Sequence, residues 1–248
     1  MKIPQPTILY EDDDIIAVDK PAGMLTIPDR FDASQPNLVQ FLSKKYPTII
    51  PVHRLDRHTS GVNVFAKNAE MHKELSTLFQ SREIEKYYMT LVDGVPNPES
   101  GKIDAPLTES TATRGKMLVH SRGKESLTDY KIIESYGKYS WLYIRIHTGR
   151  MHQVRVHMQY LGTPLIVDKL YGHREHFYLS EIKGKKMNVA KYEEERPLLS
   201  RQPLHAEKIV FQHPKTGKKL EITSSLPKDI SAVIQQMQKW LTVSKAPN

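Results

Sequence analysis

The sequence contains no cysteine, which removes disulfides, thiolate nucleophiles and every zinc site built on sulfur. No apolar run approaches the roughly 20 residues that a membrane-spanning helix requires. The amino-terminal stretch from Met1 to Asp14 also lacks the apolar centre of a secretory signal, so a cytoplasmic protein without membrane contact is expected. Gly-rich phosphate loops, dinucleotide-binding fingerprints and Gly-x-Ser-x-Gly elbows are missing as well. Acid is in deficit: 28 Asp and Glu face 36 Lys and Arg, a net charge of +8. What remains is oxygen and nitrogen chemistry on a basic chain, and a basic chain favours a polyanionic partner through neutralised phosphates and released counterions.

With 248 residues, 39% of them apolar, the chain is long enough for one large core. Ile8 to Tyr10 and Ile15 to Val18 flank an acidic turn, Glu11 to Asp14, and read as a hairpin ended by Pro21 and Gly23. Asn37 caps a short helix with Leu38, Phe41 and Leu42 on one side; Asn68 caps a longer one with Met71, Leu75, Leu78 and Phe79 inward. Strands are expected at 62–67, 85–92, 117–120, 127–133, 141–147, 208–212 and 219–222. Thr148-Gly149 turns the chain into a helix carrying Val154, His157 and Met158, and Pro227 opens a last helix with Ile230, Val233 and Met237 inward. Residues 173–200 show no clear period, and Lys183-Gly184-Lys185-Lys186 reads as an exposed loop or a lightly structured insertion. Without a repeat or a linker, a single α+β domain over residues 1–248 is expected, built on a mixed, mainly antiparallel sheet with flanking helices and a central basic cleft.

Two segments concentrate reactive groups. His53-Arg54-Leu55-Asp56-Arg57-His58-Thr59-Ser60-Gly61 sets one carboxylate between two guanidinium groups ahead of a strand. Flanking arginines favour the ionised carboxylate, which suits a nucleophile better than a general acid. A structural ion pair in a loop fits the same spacing. The second segment, His147 to His157, joins a strand end to a glycine turn and a helix start that carries Arg150, His152 and Arg155. Basic residues in a first helical turn oppose the helix dipole and invite an anion, although an amphipathic surface helix fits too. Histidines 147, 152 and 157 stand five apart, a spacing that scatters them over different faces, and His173 and His176 have no obvious third ligand, so no metal site is expected.

His53-Arg54-Leu55-Asp56 with Thr59-Ser60-Gly61 resembles the central signature of the RluA-like pseudouridine synthases. Further blocks of that family stand in order around it: Asp19-Lys20-Pro21-Ala22-Gly23, Glu85-Lys86-Tyr87-Tyr88 with Val92-Asp93-Gly94, His147 to His157 with Gly162, Pro164, Asp168 and Tyr171-Gly172, then Leu204-His205-Ala206 and Phe211-Gln212-His213-Pro214. The resemblance implies an enzyme that isomerises uridine in structured ribosomal or transfer RNA to pseudouridine without a cofactor. It makes Asp56 the catalytic carboxylate and Arg54 the arginine that helps fill the space of the everted nucleotide. It makes Tyr88 the tyrosine stacked on the base, with Tyr87 as its rival, and Arg155 the arginine that pairs with the aspartate.

Arg57, His58, Thr59, Lys86, Arg150, His152 and Gln153 are the expected RNA contacts. Two positions depart from the pattern, Met151 where a small or polar residue is usual and Val167 where a glycine is usual. The first catalytic strand begins by Ile8, so no separate amino-terminal RNA-binding domain is expected, and the resemblance favours a monomer. Alternatives are a catalytically silent RNA-binding protein on the same fold and a glycosidase. The glycosidase would need a second catalytic carboxylate, and none stands out.

Overall fold

The computed structural model describes residues 3–184 and 195–245. The chain forms two compact units, Met1–Tyr88 with His205–Ser225, and Met89–Leu204 with Leu226–Asn248. Nothing in the sequence marks this division, because it falls inside a strand.

The first unit opens with the expected hairpin, β1 (Thr7–Glu11) and β2 (Ile15–Lys20), whose turn is closed by Asp12: its Oδ1 accepts from the backbone N–H groups of Asp14 and Ile15 at 2.8 and 2.7 Å. Helix α1 (Leu38–Leu42) is capped by Asn37, which accepts from Gln40 N at 2.9 Å. After the short β3 (Ile50–Pro51) comes β4 (Ser60–Ala66), buried along its whole length. Helix α2 (Ala69–Gln80) is capped by Asn68 through Met71 N at 2.8 Å and buries Met71 and Leu75. β5 (Glu85–Asp93) begins in this unit and ends in the next.

In the second unit follow β6 (Ser100–Asp104), β7 (Leu107–Glu109), β8 (Met117–Val119), β9 (Leu127–Tyr136), β10 (Tyr139–Ile146), α3 (Gln153–Tyr160) and α4 (Leu179–Lys183). The chain then returns to the first unit with β11 (Leu204–Gln212) and β12 (Lys219–Thr223), and to the second with α5 (Lys228–Trp240) and β13 (Ser244–Lys245).

In the first unit the strand order is β1-β2-β4-β11-β5, with β12 on β11 and β3 on β4. β2 runs antiparallel to β4 with Ile15 opposite Ala66, whereas β4 and β11 are parallel, with Ser60 opposite His205 and Gly61 opposite Ala206. In the second unit β5, β10 and β9 are neighbours, and β6 and β13 also pair with β9. The expected α+β class with a mainly antiparallel mixed sheet is the fold observed. Ile15, Val62, Val64, Met71, Leu75, Ile209 and Phe211 form the core of the first unit; Tyr136, Tyr139, Val167, Phe177, Ile230 and Val233 form that of the second.

Several short elements escape the sequence pattern, β6, β7 and α4 among them. β6 carries Gly101 and buries only Ile103, so no alternation announces it. β7 has three residues, and α4 buries Ile182 alone, within a segment that shows no clear period. Lys185 and Lys186 of the expected loop lie outside the described residues.

Candidate active site

In the first unit the Asp56 loop is held from below by a buried lysine. Lys20, at the end of β2, is fully buried, and its Nζ donates to the carbonyls of Pro21, Met24 and Arg57 at 3.2, 2.8 and 3.1 Å. Gly23 N donates to the same Arg57 carbonyl at 2.8 Å, and Arg57 Nε returns a bond to Gly23 O at 3.2 Å. The Asp19-Lys20-Pro21-Ala22-Gly23 block is thus the seat of the residue after Asp56. Thr26 fixes the other side: its Oγ1 accepts from Leu55 N at 3.1 Å and donates to Asn63 Oδ1 at 2.9 Å. Thr59 N donates to Asp56 O at 3.1 Å and closes the turn.

His53 starts the loop with its ring stacked on Phe79 at 4.9 Å, and its Nε2 accepts from Val64 N at 3.0 Å. Burial, with the nearby Lys86 charge second, pushes its pKa down to about 3, so the ring stays neutral and acts as a hydrogen-bonded hinge. Where the loop enters β4, Gly61 has φ +111°, and a Cβ there would meet Ala206 O at 2.1 Å. Only glycine permits this backbone and this parallel contact. Beside it Ser60 Oγ and His205 Nδ1 are 3.0 Å apart, and His205 Nε2 donates to Ser224 O at 3.1 Å, which accounts for the Leu204-His205-Ala206 block.

On β5, Lys86, Tyr88 and Thr90 share the buried face, while Tyr87 takes the other. Burial raises the Tyr88 phenol above its ordinary pKa, and the negative charge of Asp56 raises it further. Tyr88 is therefore a neutral phenol beside the loop carboxylate. Tyr87 instead donates to Glu85 at 2.8 Å, with the Lys208 ammonium over its ring.

The second segment organises a site of its own in the second unit. Arg155 is buried on α3, and its Nε and Nη2 donate to the two carboxylate oxygens of Asp168 at 2.6 and 2.9 Å. Asp168 Oδ1 also accepts from the backbone N–H groups of Leu170 and Tyr171 at 3.0 and 3.2 Å. The Tyr171 ring lies 4.9 Å from the Arg155 guanidinium, and its hydroxyl meets His152 Nδ1 at 2.9 Å. His152 takes the left-handed backbone conformation, φ 56°, at the start of α3, a strain of the kind that clusters at functional sites.

A family model described as RNA pseudouridylate synthase matches residues 14–160. The chain belongs to the RNA pseudouridylate synthase family. Among its relatives, an uncharacterized RNA pseudouridine synthase of Chlorobaculum parvum is 35% identical over 97% of this chain and 76% of its own length. The proteins named ribosomal large subunit pseudouridine synthase D from Haemophilus ducreyi and Pseudomonas aeruginosa are 34% and 35% identical, over 93% and 90% of this chain and 70% and 68% of theirs. Of solved structures, human RNA pseudouridylate synthase domain containing 4 superposes with a TM-score of 0.75 at 22% identity, covering 97% of this chain and 94% of that one. That likeness is one of fold. The reaction of the RNA pseudouridylate synthase family, isomerisation of uridine in RNA, is the reaction of this enzyme.

Against that background the expected residues of the RNA pseudouridylate synthase divide into three groups. In the first unit Tyr88 lies near Asp56 and Lys86 near His53, at the start of the loop that carries Asp56 and exposes Arg54, Arg57 and His58. Arg54 is exposed and makes no hydrogen bond or ion pair with any described residue. Arg155 and His152 come together in the second unit, where both meet Tyr171 and Arg155 pairs with Asp168. Arg150 is partly exposed nearby, with Nε donating to Glu125 O at 3.0 Å.

Thr59 and Gln153 form the third group. Both are buried, and the four hydrogen bonds of the Gln153 amide go to Thr148, Arg150 N, Leu127 O and Thr128 at 2.7 to 3.0 Å. The Gln153 amide has all its bonds made within the protein, and Thr59 closes the Asp56 turn through its N–H. Lys20 and Asp168 are the residues whose roles sequence reasoning missed, although both stand inside family blocks. Of the two departures, Met151 is exposed and Val167 is packed in the second core, where its side chain adds apolar volume. No group of three or more metal-ligating side chains occurs among the described residues, and no described helix is long and apolar enough to cross a membrane.

Proposed function

We propose that this enzyme converts a uridine everted from a loop of large-subunit ribosomal RNA, with Asp56 as the carboxylate that acts on it. The observation that carries this reading is the neutral, buried Tyr88 phenol beside Asp56 on a loop bolted down by Lys20. The reaction breaks the bond between uracil and ribose, turns the base and rejoins it through carbon 5, so no atom is lost and no redox partner is needed. Eversion costs a few kcal/mol and favours loops, where the base is already poorly stacked.

Asp56 then acts ionised, by attack at carbon 1′, by attack on the base, or by assisting glycal formation. Carboxylate charge opposite a developing positive sugar is the electrostatic logic of glycosidases. Arg54 fills the space left by the everted nucleotide, and Tyr88 stacks on the base. The raised phenol favours a stacking and hydrogen-bonding Tyr88 over a phenolate that takes the final proton from carbon 5. Arg155, oriented by Asp168, is the arginine that the family resemblance assigns to the reaction. Arg57, His58, Arg150 and His152 meet the backbone. The substrate class follows the bacterial relatives named ribosomal large subunit pseudouridine synthase D, with transfer RNA as the other target. The enzyme acts in the cytoplasm as a monomer, which light scattering of the purified chain checks directly.

Mapping pseudouridines in total RNA from cells with and without the gene tests the proposal. One site lost from large-subunit RNA supports it and names the substrate. A site lost from transfer RNA moves the target class, and an unchanged map defeats the reading.

A further inference from the structure

One buried cation in the first unit has no work in the fold. The Lys86 residue is 8% exposed, yet its ammonium makes no ion pair or hydrogen bond with any described residue. The ring of Phe79 lies 5.7 Å from Nζ. Lys20, buried in the same unit, satisfies its charge with three carbonyls. An ammonium out of water without such partners costs several kcal/mol, so its presence calls for an anion that arrives from outside.

The groups around Lys86 supply none. From the loop before β4 the neighbour is the neutral ring of His53; from the end of α2 it is Phe79; from the following turn it is Arg82, whose like charge adds to the strain. Along β5 the next side chain on the same face is Tyr88, about 7 Å on by strand geometry, and it is Tyr88 that feels Asp56. Lys86 thus sits one rung from the reaction centre, under the same loop, on the scale of a single nucleotide.

We propose that Lys86 receives a backbone phosphate next to the target uridine and so sets the register of the RNA over Asp56. This rests on the RNA-modifying reading above and specifies what one of its contacts binds. Burial, and secondly Arg82, lower the Lys86 pKa to about 8. The phosphate therefore meets a group that is charged at neutral pH and loses its charge just above it, unlike exposed lysines, which titrate near ~10.4. Lys86 is a positioning residue, and its loss shows in binding more than in the chemical step.

The test compares wild type, Lys86→Met and Lys86→Arg on an unmodified transcript of large-subunit ribosomal RNA, measuring Kd by filter binding and the single-turnover rate at saturation. Lys86→Met is expected to raise Kd about tenfold with the saturated rate within about threefold, and to flatten the plot of log affinity against log salt by ~0.7, the value for one phosphate on a single strand. Wild-type Kd should rise between pH 7 and 9. Lys86→Arg, charged throughout, should bind like wild type at pH 7 and lose that rise.

Lys86→Met with unchanged Kd and salt slope overturns the proposal. Should that variant not fold, Lys86→Arg decides: a pH rise that persists in it overturns the proposal as well. A wild-type enzyme that binds the transcript but forms no pseudouridine counts against the functional reading, while the Kd comparisons still judge Lys86.

Discussion

Arg155 and Asp168 face one another in a two-pronged buried ion pair, with Nε–Oδ2 and Nη2–Oδ1 distances of 2.6 and 2.9 Å. Fork-to-fork geometry locks the guanidinium plane, and the Tyr171 ring beside it limits the remaining freedom. The arginine that the family pattern assigns to catalysis is thereby held by an aspartate thirteen residues later, on a loop whose Leu170 and Tyr171 N–H groups bind the same carboxylate.

Removing one half of this pair leaves a buried charge uncompensated. Asp168→Ala is expected to cost about 3–5 kcal/mol in urea unfolding and to abolish activity. The double variant Asp168→Leu with Arg155→Met should regain much of the stability but none of the activity. A double variant that turns over normally would reduce Arg155 to a structural residue.

Lys20 is the second point of leverage. Replacing it with Met removes the ammonium from three carbonyls, among them that of Arg57, the residue after Asp56, which keeps only the Gly23 N–H. A shift of about 1 Å at a reacting group is worth roughly 10²-fold in rate, so Lys20→Met should lower the single-turnover rate by about that factor with little change in RNA affinity. Equal loss of affinity and rate would point to collapse of the whole loop.

Much of this was legible in the residues themselves. Asn37 and Asn68 announced their helices because an N-cap is a local event, decided within four residues. The alternation in β5 and β10 gave the buried face, and with it the preference for Tyr88 over Tyr87. What escaped was decided at a distance. Lys20 looks like any lysine after a strand until the chain brings the Arg57 carbonyl to it, and Gln153 looks like an RNA contact until its amide is seen tying the Thr148 turn to β9. The two-pronged bond from Arg155 to Asp168 likewise joins residues that spacing alone does not pair. Short elements such as β6 and α4 bury one side chain each and leave no period to read.

His53 makes stability depend on pH in a defined direction. Its pKa is about 3 in the folded protein and about 6.5 unfolded, so below 6.5 the unfolded chain binds a proton that the folded one refuses. The stabilisation is complete above pH 6.5 and is lost as pH falls toward 3, at up to ~1.4 kcal/mol per pH unit. His53→Gln should therefore be less stable than wild type at pH 7.5, with the gap closing between pH 6.5 and 4.5. Taking the difference between the two proteins cancels the other titrating groups; a gap that stays constant would show that His53 is not held neutral.

The most direct measurement of the central claim is single-turnover pseudouridine formation by Asp56→Asn on the ribosomal transcript, beside its Kd. The side chain keeps its shape and loses its charge, so binding should stay within about threefold of wild type while product formation falls below detection. Product at the wild-type rate would contradict the assignment of the reaction to this carboxylate.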